Sequence, residues 1–203
     1  MTTVALLLAA GFARRFGADK RQARLADGRG LLAASLANAR EAFDEVCVVL
    51  RPEDDPLALG VPVDISIVRC AQAESGLGHS LAAGVAALAD NPAASVAILL
   101  ADMPWIAPQT LRLLASQASE QRIVFPQHQG QRGHPVLFGR AFWPELRALQ
   151  GDEGARAVLQ AHREAWQPID VNDPGVLRDV DTPAALTSGS LLCMDSPPPS
   201  TRF

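Results

Sequence analysis

The chain has 203 residues, 48% of them hydrophobic and 20% charged, which predicts a single globular domain with a buried core. A formal net charge of -4 gives no electrostatic reason to expect a nucleic-acid partner. The three cysteines are far apart and form no Cys-x-x-Cys motif, which argues against a zinc site or a disulfide framework and favours the reducing cytoplasm. The apolar N-terminus lacks the basic region of a signal peptide, and no apolar stretch is long enough to cross a membrane.

Short apolar runs alternate along the chain with longer segments of helical periodicity. Strands are predicted at residues 4–8, 46–50, 65–68, 96–100, 123–125, 136–138 and 169–171, the sixth of them as an edge strand. Helices are predicted at residues 31–43, 81–88, 111–118, 142–149 and 155–162. This alternation predicts a three-layer α/β/α sandwich with a mostly parallel central sheet, formed by residues 1–187. Residues 188–203 include three consecutive prolines and are predicted to be a disordered tail.

The loop after the first predicted strand combines small residues with basic side chains. Ala9, Ala10 and Gly11 allow the backbone to approach a ligand closely, and the N–H groups of such a turn can hold phosphate oxygens. Arg15 and Lys20 supply positive charge at phosphate distance. The loop is neither a Walker A motif nor a Gly-x-Gly-x-x-Gly motif. Composition alone leaves a surface loop with scattered basic residues as an alternative.

Two acidic motifs are candidates for metal binding. Asp102 follows the apolar strand 96–100, where a carboxylate suits Mg²⁺, although a turn or helix-capping aspartate before Pro104 is an alternative. Residues 179–183 read D-V-D-T-P, and an extended D-x-D segment directs Asp179 and Asp181 to one face. Capping of a helix that starts at Pro183 is the alternative, and it explains Asp181 better than Asp179.

Three further segments contain candidate ligand-binding residues. Ser80 lies in a glycine-rich stretch before a helical pattern and is predicted to cap that helix. His134 lies in the sequence R-G-H-P-V-L-F and could simply fill a turn. Asp152, in G-D-E-G-A-R, could cap a helix with Arg156 one turn later on the same face. The sequence contains no H-E-x-x-H motif and no Gly-x-Ser-x-Gly motif, so no metalloprotease or serine hydrolase set competes.

Taken in order, these motifs resemble those of the MobA-like NTP transferases, in the nucleotide-diphospho-sugar transferase superfamily. The first loop is similar to the family pattern L-A-A-G-x-S-x-R-x-G-x-x-K, and it departs only at Ala13, where the usual Ser or Thr would add a hydroxyl contact to phosphate. A-D-M-P and D-V-D-T-P resemble the family's D-x-P and D-I-D-T-P metal motifs. R-G-H-P-V and G-D-E-G-A-R resemble acceptor-side motifs of the molybdenum cofactor cytidylyltransferase branch. The likeness extends from residue 4 to about residue 186.

The resemblance implies a role for each motif and a reaction for the protein. It implies that the nucleotide is bound by Leu8, Ala9, Ala10, Gly11, Gly78 and Ser80, and that the catalytic residues are Arg15, Lys20 and Asp102. It implies that the acceptor is bound by His134, Asp152 and Arg156. The implied Mg²⁺ ligands are Asp102 and Asp179, with Asp181 as the alternative to Asp179. The implied reaction transfers CMP from CTP to the molybdopterin molybdenum cofactor and releases pyrophosphate. The alternatives are GTP as donor, another small phosphorylated acceptor, or a non-catalytic carrier or chaperone for that cofactor that docks to molybdoenzymes.

Overall fold

The computed structural model describes residues 1–12, 19–181 and Leu186, and within them it contains one eight-stranded sheet flanked by helices. The strands are β1 Thr3–Leu8, β2 Glu45–Leu50, β3 Ser66–Arg69, β4 Ser95–Leu100, β5 Ile123–His128, β6 Gln131–Arg132, β7 Val136–Gly139 and β8 Trp166–Asp170. The α-helices are α1 Leu31–Ala42, α2 Leu77–Ala87, α3 Pro108–Gln117, α4 Trp143–Arg147 and α5 Arg156–Ala161. Short 3₁₀ turns occupy Lys20–Gln22, Ala73–Ser75, Arg140–Phe142, Arg163–Ala165 and Pro174–Leu177.

The strand order is β3-β2-β1-β4-β7-β5-β6, with β8 also paired to β5. Strands β1 to β4 are mutually parallel where they pair, and β8 is parallel to β5, whereas β7 runs antiparallel to both of its neighbours. The predicted α/β/α fold class is therefore confirmed, and its central sheet is mixed. The prediction of residues 136–138 as an edge strand is wrong, because β7 lies between β4 and β5. All four residues of β7 are buried, as expected for a strand covered on both faces.

Both faces of the sheet are covered, which explains the continuous apolar run of β1. Val4, Leu6 and Leu8 pack with α2, α4 and α5 on one side, and Ala5 and Leu7 pack with α1 and α3 on the other. These two clusters fill the spaces between the sheet and the helices, which form the outer layers of the predicted sandwich. No helix in the described part of the chain is long and apolar enough to cross a membrane. The predicted tail, residues 188–203, lies outside the described residues.

Helix α2 begins one turn earlier than the sequence pattern predicted. Its N-cap is Gly76, whose φ of 123° is in the region that favours glycine, and a Cβ there would lie 2.4 Å from the Gly151 carbonyl oxygen. The prediction that Ser80 caps this helix is wrong, because Ser80 lies inside α2 and is buried. The alternative reading of Asp152 as a helix cap is also not seen, because the N-cap of α5 is Ala155.

The carboxyl ends of β1, β2 and β4 lie side by side, because these neighbouring strands are parallel. The ladder continues one residue beyond the strands: Ala9 N–H donates to the Val49 carbonyl at 3.0 Å, and Ala101 N–H donates to the Leu8 carbonyl at 3.2 Å. The loops that start at Ala9 and Ala101 are therefore held together at one edge of the sheet, where ligands bind in folds of this kind.

Candidate active site

Three carboxylates meet at this edge of the sheet. Asp102, Asp179 and Asp181 each offer an oxygen, and these oxygens lie within 4.8 Å of one another. The peptide N–H of Val180 donates to the Asp102 carbonyl at 2.9 Å, and the Val180 side chain is fully buried. Because side chains alternate along an extended segment, burial of Val180 directs its two acidic neighbours toward Asp102. The D-x-D motif and the aspartate after β4 thus converge, as the sequence predicted for a shared cation.

Lys20 contacts this group of carboxylates. Its ammonium lies 2.7 Å from Asp102 Oδ2 and 3.4 Å from Asp181 Oδ1, and the side chains of Lys20 and Asp102 are only 17% and 21% exposed. The lysine is held there by the 3₁₀ turn Lys20–Gln22, which Asp19 caps by accepting from the Arg21 N–H at 3.1 Å. The structure therefore brings one predicted catalytic cation directly against the predicted metal ligands. Arg15, the other predicted catalytic cation, lies outside the described residues.

A cavity of about 220 Å³ lies between the first loop and Asp102. The predicted site residues that line it are Leu8, Ala9, Ala10, Gly11, Lys20, Ser80 and Asp102. Ser80 lines it from α2, and Lys20 lines it from the 3₁₀ turn Lys20–Gln22. Small residues combined with a lysine and a carboxylate make this cavity suitable for a phosphate chain.

A second cavity, of about 330 Å³, adjoins the first and shares Leu8, Leu77 and Leu100 with it. Two of the predicted acceptor-binding residues, His134 and Arg156, line this second cavity. Its other polar residues are Arg132 and Glu153, and most of its remaining wall is apolar, from Leu81, Ile98, Val136, Phe138 and Leu159. The combination of apolar walls with a few convergent polar groups is typical of a small-molecule site.

His134 lies between the second cavity and the carboxylates. Burial lowers the pKa of its imidazole below the ordinary value, the negative charges of Asp102 and Asp179 act to raise it, and Arg132 lowers it further. Its Nδ1 atom is buried and has no hydrogen-bond partner among the described residues. The lowered pKa makes the imidazole neutral at pH 7, so that it offers one donor and one acceptor to a bound molecule.

Gly78 and Asp152 lie at the contact between α2 and the loop before α5. Gly78 N–H donates to the Gly151 carbonyl at 2.8 Å, and a Cβ on Gly78 would lie 2.7 Å from the Gln150 carbonyl oxygen. The Asp152 side chain packs against Gly76, where an added Cβ would lie 2.5 Å from Oδ1. These contacts show why glycine is needed there. The nucleotide-binding role of Gly78 and the acceptor-binding role of Asp152 stay predictions.

Two arginines that the sequence reasoning did not single out support the first loop. Arg21 and Arg51 donate to the carbonyl groups of Ala9, Ala10 and Gly11. Arg51 directly follows β2, and β2 is the parallel neighbour of β1, so this contact follows from the sheet order. A signal for it existed in the sequence, because a basic residue at the end of a predicted strand lies at the ligand-binding edge.

The sheet order, the small-residue loop after β1 and the converging carboxylates define a class, the α/β nucleotidyltransferases. Comparison with known proteins gives the same answer, because residues 5–166 match the family described as MobA-like NTP transferase domain. The chain belongs to this family. The resemblance drawn from its motifs is thus confirmed, and with it the activity at the level of nucleotidyl transfer.

Individual relatives support the same family. Purine catabolism protein PucB from Bacillus subtilis (strain 168) is 34% identical over 190 residues, covering 89% of this chain and 92% of that protein. The crystal structure of Rv0371c from Mycobacterium tuberculosis H37Rv is 27% identical and has a TM-score of 0.76, covering 91% of this chain and 96% of that one. A structure of Rv0371c in complex with manganese is 26% identical, with a TM-score of 0.69, covering 84% and 89% respectively.

Proposed function

We propose that this protein transfers CMP from CTP to the molybdopterin molybdenum cofactor and releases pyrophosphate. The observation that carries the proposal is the pair of adjoining cavities. One contains the small-residue loop, Lys20 and Asp102, and the other contains His134, whose pKa responds to the charges of Asp102 and Asp179. A nucleotide in the first cavity and an acceptor in the second would meet beside these carboxylates.

The carboxylates fit a hard divalent cation. Three aspartates with oxygens within 4.8 Å of one another provide the oxygen ligands that Mg²⁺ and Mn²⁺ prefer, and the related Rv0371c has been solved as a manganese complex. We propose Mg²⁺ at Asp102 and Asp179, with Asp181, which Lys20 contacts at 3.4 Å, as the alternative to Asp179. When bound, the ion would neutralise charge on the nucleotide phosphates.

Different residues of the chain have separate roles in this transfer. An oxygen of the acceptor phosphate attacks the α-phosphorus, the bond from that phosphorus to the bridging oxygen breaks, and pyrophosphate leaves with the electron pair. Lys20 and the N–H groups of the first loop stabilise the growing negative charge, an arrangement that costs no reorganisation during the reaction. An ionised acceptor phosphate needs no general base. A bound acceptor packed against the apolar walls of the second cavity would displace water, which would otherwise compete as nucleophile.

The identity of the two substrates rests on motifs and on the second cavity. Arg132 and Arg156 give this cavity positive charge for an anionic acceptor, and Glu153 and His134 can bind a polar ring. The choice of CTP rests on the likeness of R-G-H-P-V and G-D-E-G-A-R to the cytidylyltransferase branch. We propose that the reaction takes place in the cytoplasm, that its substrates are small molecules, and that the product is delivered by docking to molybdoenzymes. We propose neither a nucleic acid nor a membrane as a partner.

The test is pyrophosphate release with Mg²⁺, purified molybdenum cofactor and each of the four NTPs in parallel. We expect release with CTP, and we expect the Lys20→Ala protein to lose about a hundredfold in rate, as loss of one preorganised charge partner typically does. Arg24→Ala is the matched control, because Arg24 is an exposed basic residue four positions away whose guanidinium donates to the Gly28 carbonyl at 2.8 Å. Release with GTP instead would assign the guanylyl reaction. Binding of CTP without release by the wild type would favour a carrier.

A further inference from the structure

Three successive carbonyl groups of the first loop are held by guanidinium groups. The Ala9 carbonyl accepts from Arg21 Nη1 at 2.8 Å, and the Ala10 carbonyl accepts from Arg51 Nε at 3.1 Å. The Gly11 carbonyl accepts from Arg51 Nη2. Each of these peptides is thereby fixed in one orientation by a charged donor, and such hydrogen bonds are stronger than those between neutral groups.

Fixing the carbonyl groups also fixes the N–H groups. In a planar trans peptide the N–H points away from the carbonyl of the preceding residue. The three held carbonyls therefore turn the N–H groups of Ala10, Gly11 and Phe12 away from the arginines, and all three residues line the 220 Å³ cavity. Among the described residues, no acceptor takes the N–H of Ala10 or Gly11. Successive N–H groups that face one concavity form an anion-binding site.

The two arginines are themselves held in place. Arg21 is only 5% exposed and forms ion pairs with Asp19 at 2.6 Å and Asp54 at 2.5 Å. Asp54 also accepts from the backbone N–H of Arg51 at 2.8 Å, and the Arg51 guanidinium lies 3.7 Å from the centre of the Phe12 ring. Burial acts to lower the pKa of Arg21, but the hydrogen bonds that its guanidinium donates to the two aspartates, together with their charges, outweigh it and raise that pKa. The guanidinium groups thus form a fixed, charged support beneath the loop.

We infer that Arg21 and Arg51, joined through Asp54, are positioning residues that aim the loop N–H groups at the pyrophosphate part of the bound nucleotide. Both act through the peptides of Ala9 to Phe12, with no contact to the reacting atoms required. The inference rests on the proposed nucleotidyl transfer. It assigns phosphate recognition partly to oriented peptide dipoles, in addition to Lys20.

The first test uses Arg51→Met, which keeps most of the side-chain length and removes both donors. Arg51 is partly exposed, so the fold should tolerate the change. We expect the KM for CTP and the inhibition constant of pyrophosphate to rise together by about tenfold or more, since each lost hydrogen bond from a charged group is worth about 1.5–3 kcal/mol. We expect kcat and the KM of the acceptor to change less than threefold. Partial unfolding would instead lower kcat and leave both KM values unchanged.

Two further variants separate positioning from general effects. Arg51→Lys keeps the charge but loses the fork that reaches two carbonyls, so it should retain only part of the affinity for pyrophosphate. Arg40→Met removes an arginine whose pairing with Asp64 at 2.7 Å is on the surface, and it should leave all constants unchanged. Arg21→Lys, checked by thermal unfolding, tests the Ala9 contact in a protein that keeps its buried charge.

The outcomes distinguish this inference from the function on which it rests. Wild-type constants for CTP and pyrophosphate in Arg51→Met, with normal turnover in the wild type, would overturn the positioning role alone. A wild-type protein that neither binds nor turns over any NTP would overturn the proposed function and this inference together. A parallel rise for CTP and pyrophosphate in Arg51→Met, with the Arg40→Met control unaffected, supports it.

Discussion

Replacing Lys20 with methionine should have opposite effects on metal binding and on catalysis. The ammonium of Lys20 lies 2.7 Å from Asp102 Oδ2 and 3.4 Å from Asp181 Oδ1, so it occupies the carboxylates that we propose as metal ligands. A cation that enters without nucleotide has to displace this contact. In Lys20→Met the carboxylates are released from the lysine, and a divalent ion should bind more tightly although turnover falls.

The size of the effect follows from the exposure of the pair. With the Lys20 side chain 17% exposed and that of Asp102 21% exposed, the ion pair is partly screened by water. A solvent-exposed pair contributes at most about 1 kcal/mol, so this less exposed pair should contribute at least that much, which corresponds to a dissociation constant for the metal that is at least about fivefold lower once the lysine is removed. The 3.4 Å contact to Asp181 is longer and should add little to this figure. Turnover should nevertheless fall about a hundredfold, because the same charge is missing in the transition state.

Manganese binding gives a direct assay, because free Mn²⁺ is measured by its paramagnetic resonance signal without any nucleotide present. Arg24→Met is the control, since it removes a positive charge from the same segment but leaves the carboxylates unchanged. Asp102→Asn in the same titration should bind manganese more weakly than the wild type. If Lys20→Met bound manganese no better than the wild type, the competition between lysine and metal would be refuted, whatever the effect on turnover.

Three other changes test the site and its support. Gly76→Ala should lower the free energy of unfolding by about 3 kcal/mol, because φ is 123° and the new Cβ would lie 2.4 Å from a loop carbonyl. Gly28→Ala is the control: its φ is also positive but the space around it is open, so it should lower the free energy of unfolding by only about 1 kcal/mol in the same thermal or denaturant experiment. Arg156→Met should raise the KM of the acceptor about tenfold and leave that of CTP unchanged, and an effect on CTP alone would contradict the acceptor cavity. Burial acts to raise the pKa of Asp54, but hydrogen bonds from Arg21 and from the Arg51 backbone N–H, together with the charges of both arginines, outweigh it and hold that pKa below its ordinary value. The pair therefore stabilises the fold above this value, and the deficit of Asp54→Asn, about 3 kcal/mol at pH 7 in urea unfolding, should shrink as the pH falls below about 4; a deficit independent of pH would exclude the ion pair as its cause.

The sequence predicted the parts of the fold that depend on local pattern. The run from Val4 to Leu8 is apolar on both faces because helices cover both sides of β1, and this continuous apolar run is visible without a structure. Asp102 was singled out because it ends a buried strand, and Asp179 and Asp181 because side chains alternate in an extended segment. The choice of Asp179 over Asp181, and the metal-binding role itself, came from the resemblance to the family's motifs.

The errors concern features set by distant segments. The position of β7 inside the sheet depends on pairing with β4 and β5, which lie far apart in the sequence, and its four residues carry no mark of that order. The start of α2 depends on Gly76 fitting against the Gly151 carbonyl, so the pattern of apolar residues alone placed the helix one turn late. The position of Arg51 after a predicted strand indicates the ligand-binding edge but not its contacts, because its partners are carbonyl groups, which every residue possesses.

The charge arrangement around the first loop explains why both the oriented peptides and Lys20 are needed. Arg21 lies beneath the loop, but Asp19 and Asp54 neutralise much of its charge. Its effect on a bound phosphate is therefore exerted mainly through the Ala9 peptide that it orients, since opposed charges at similar distance cancel in the field that reaches the cavity. In the proposed reaction Lys20, which also lines the cavity, would then supply charge directly, after exchanging its carboxylate contact for phosphate oxygens. This exchange would favour binding of the nucleotide together with a metal ion, because the carboxylates that the lysine leaves would be free to hold that ion.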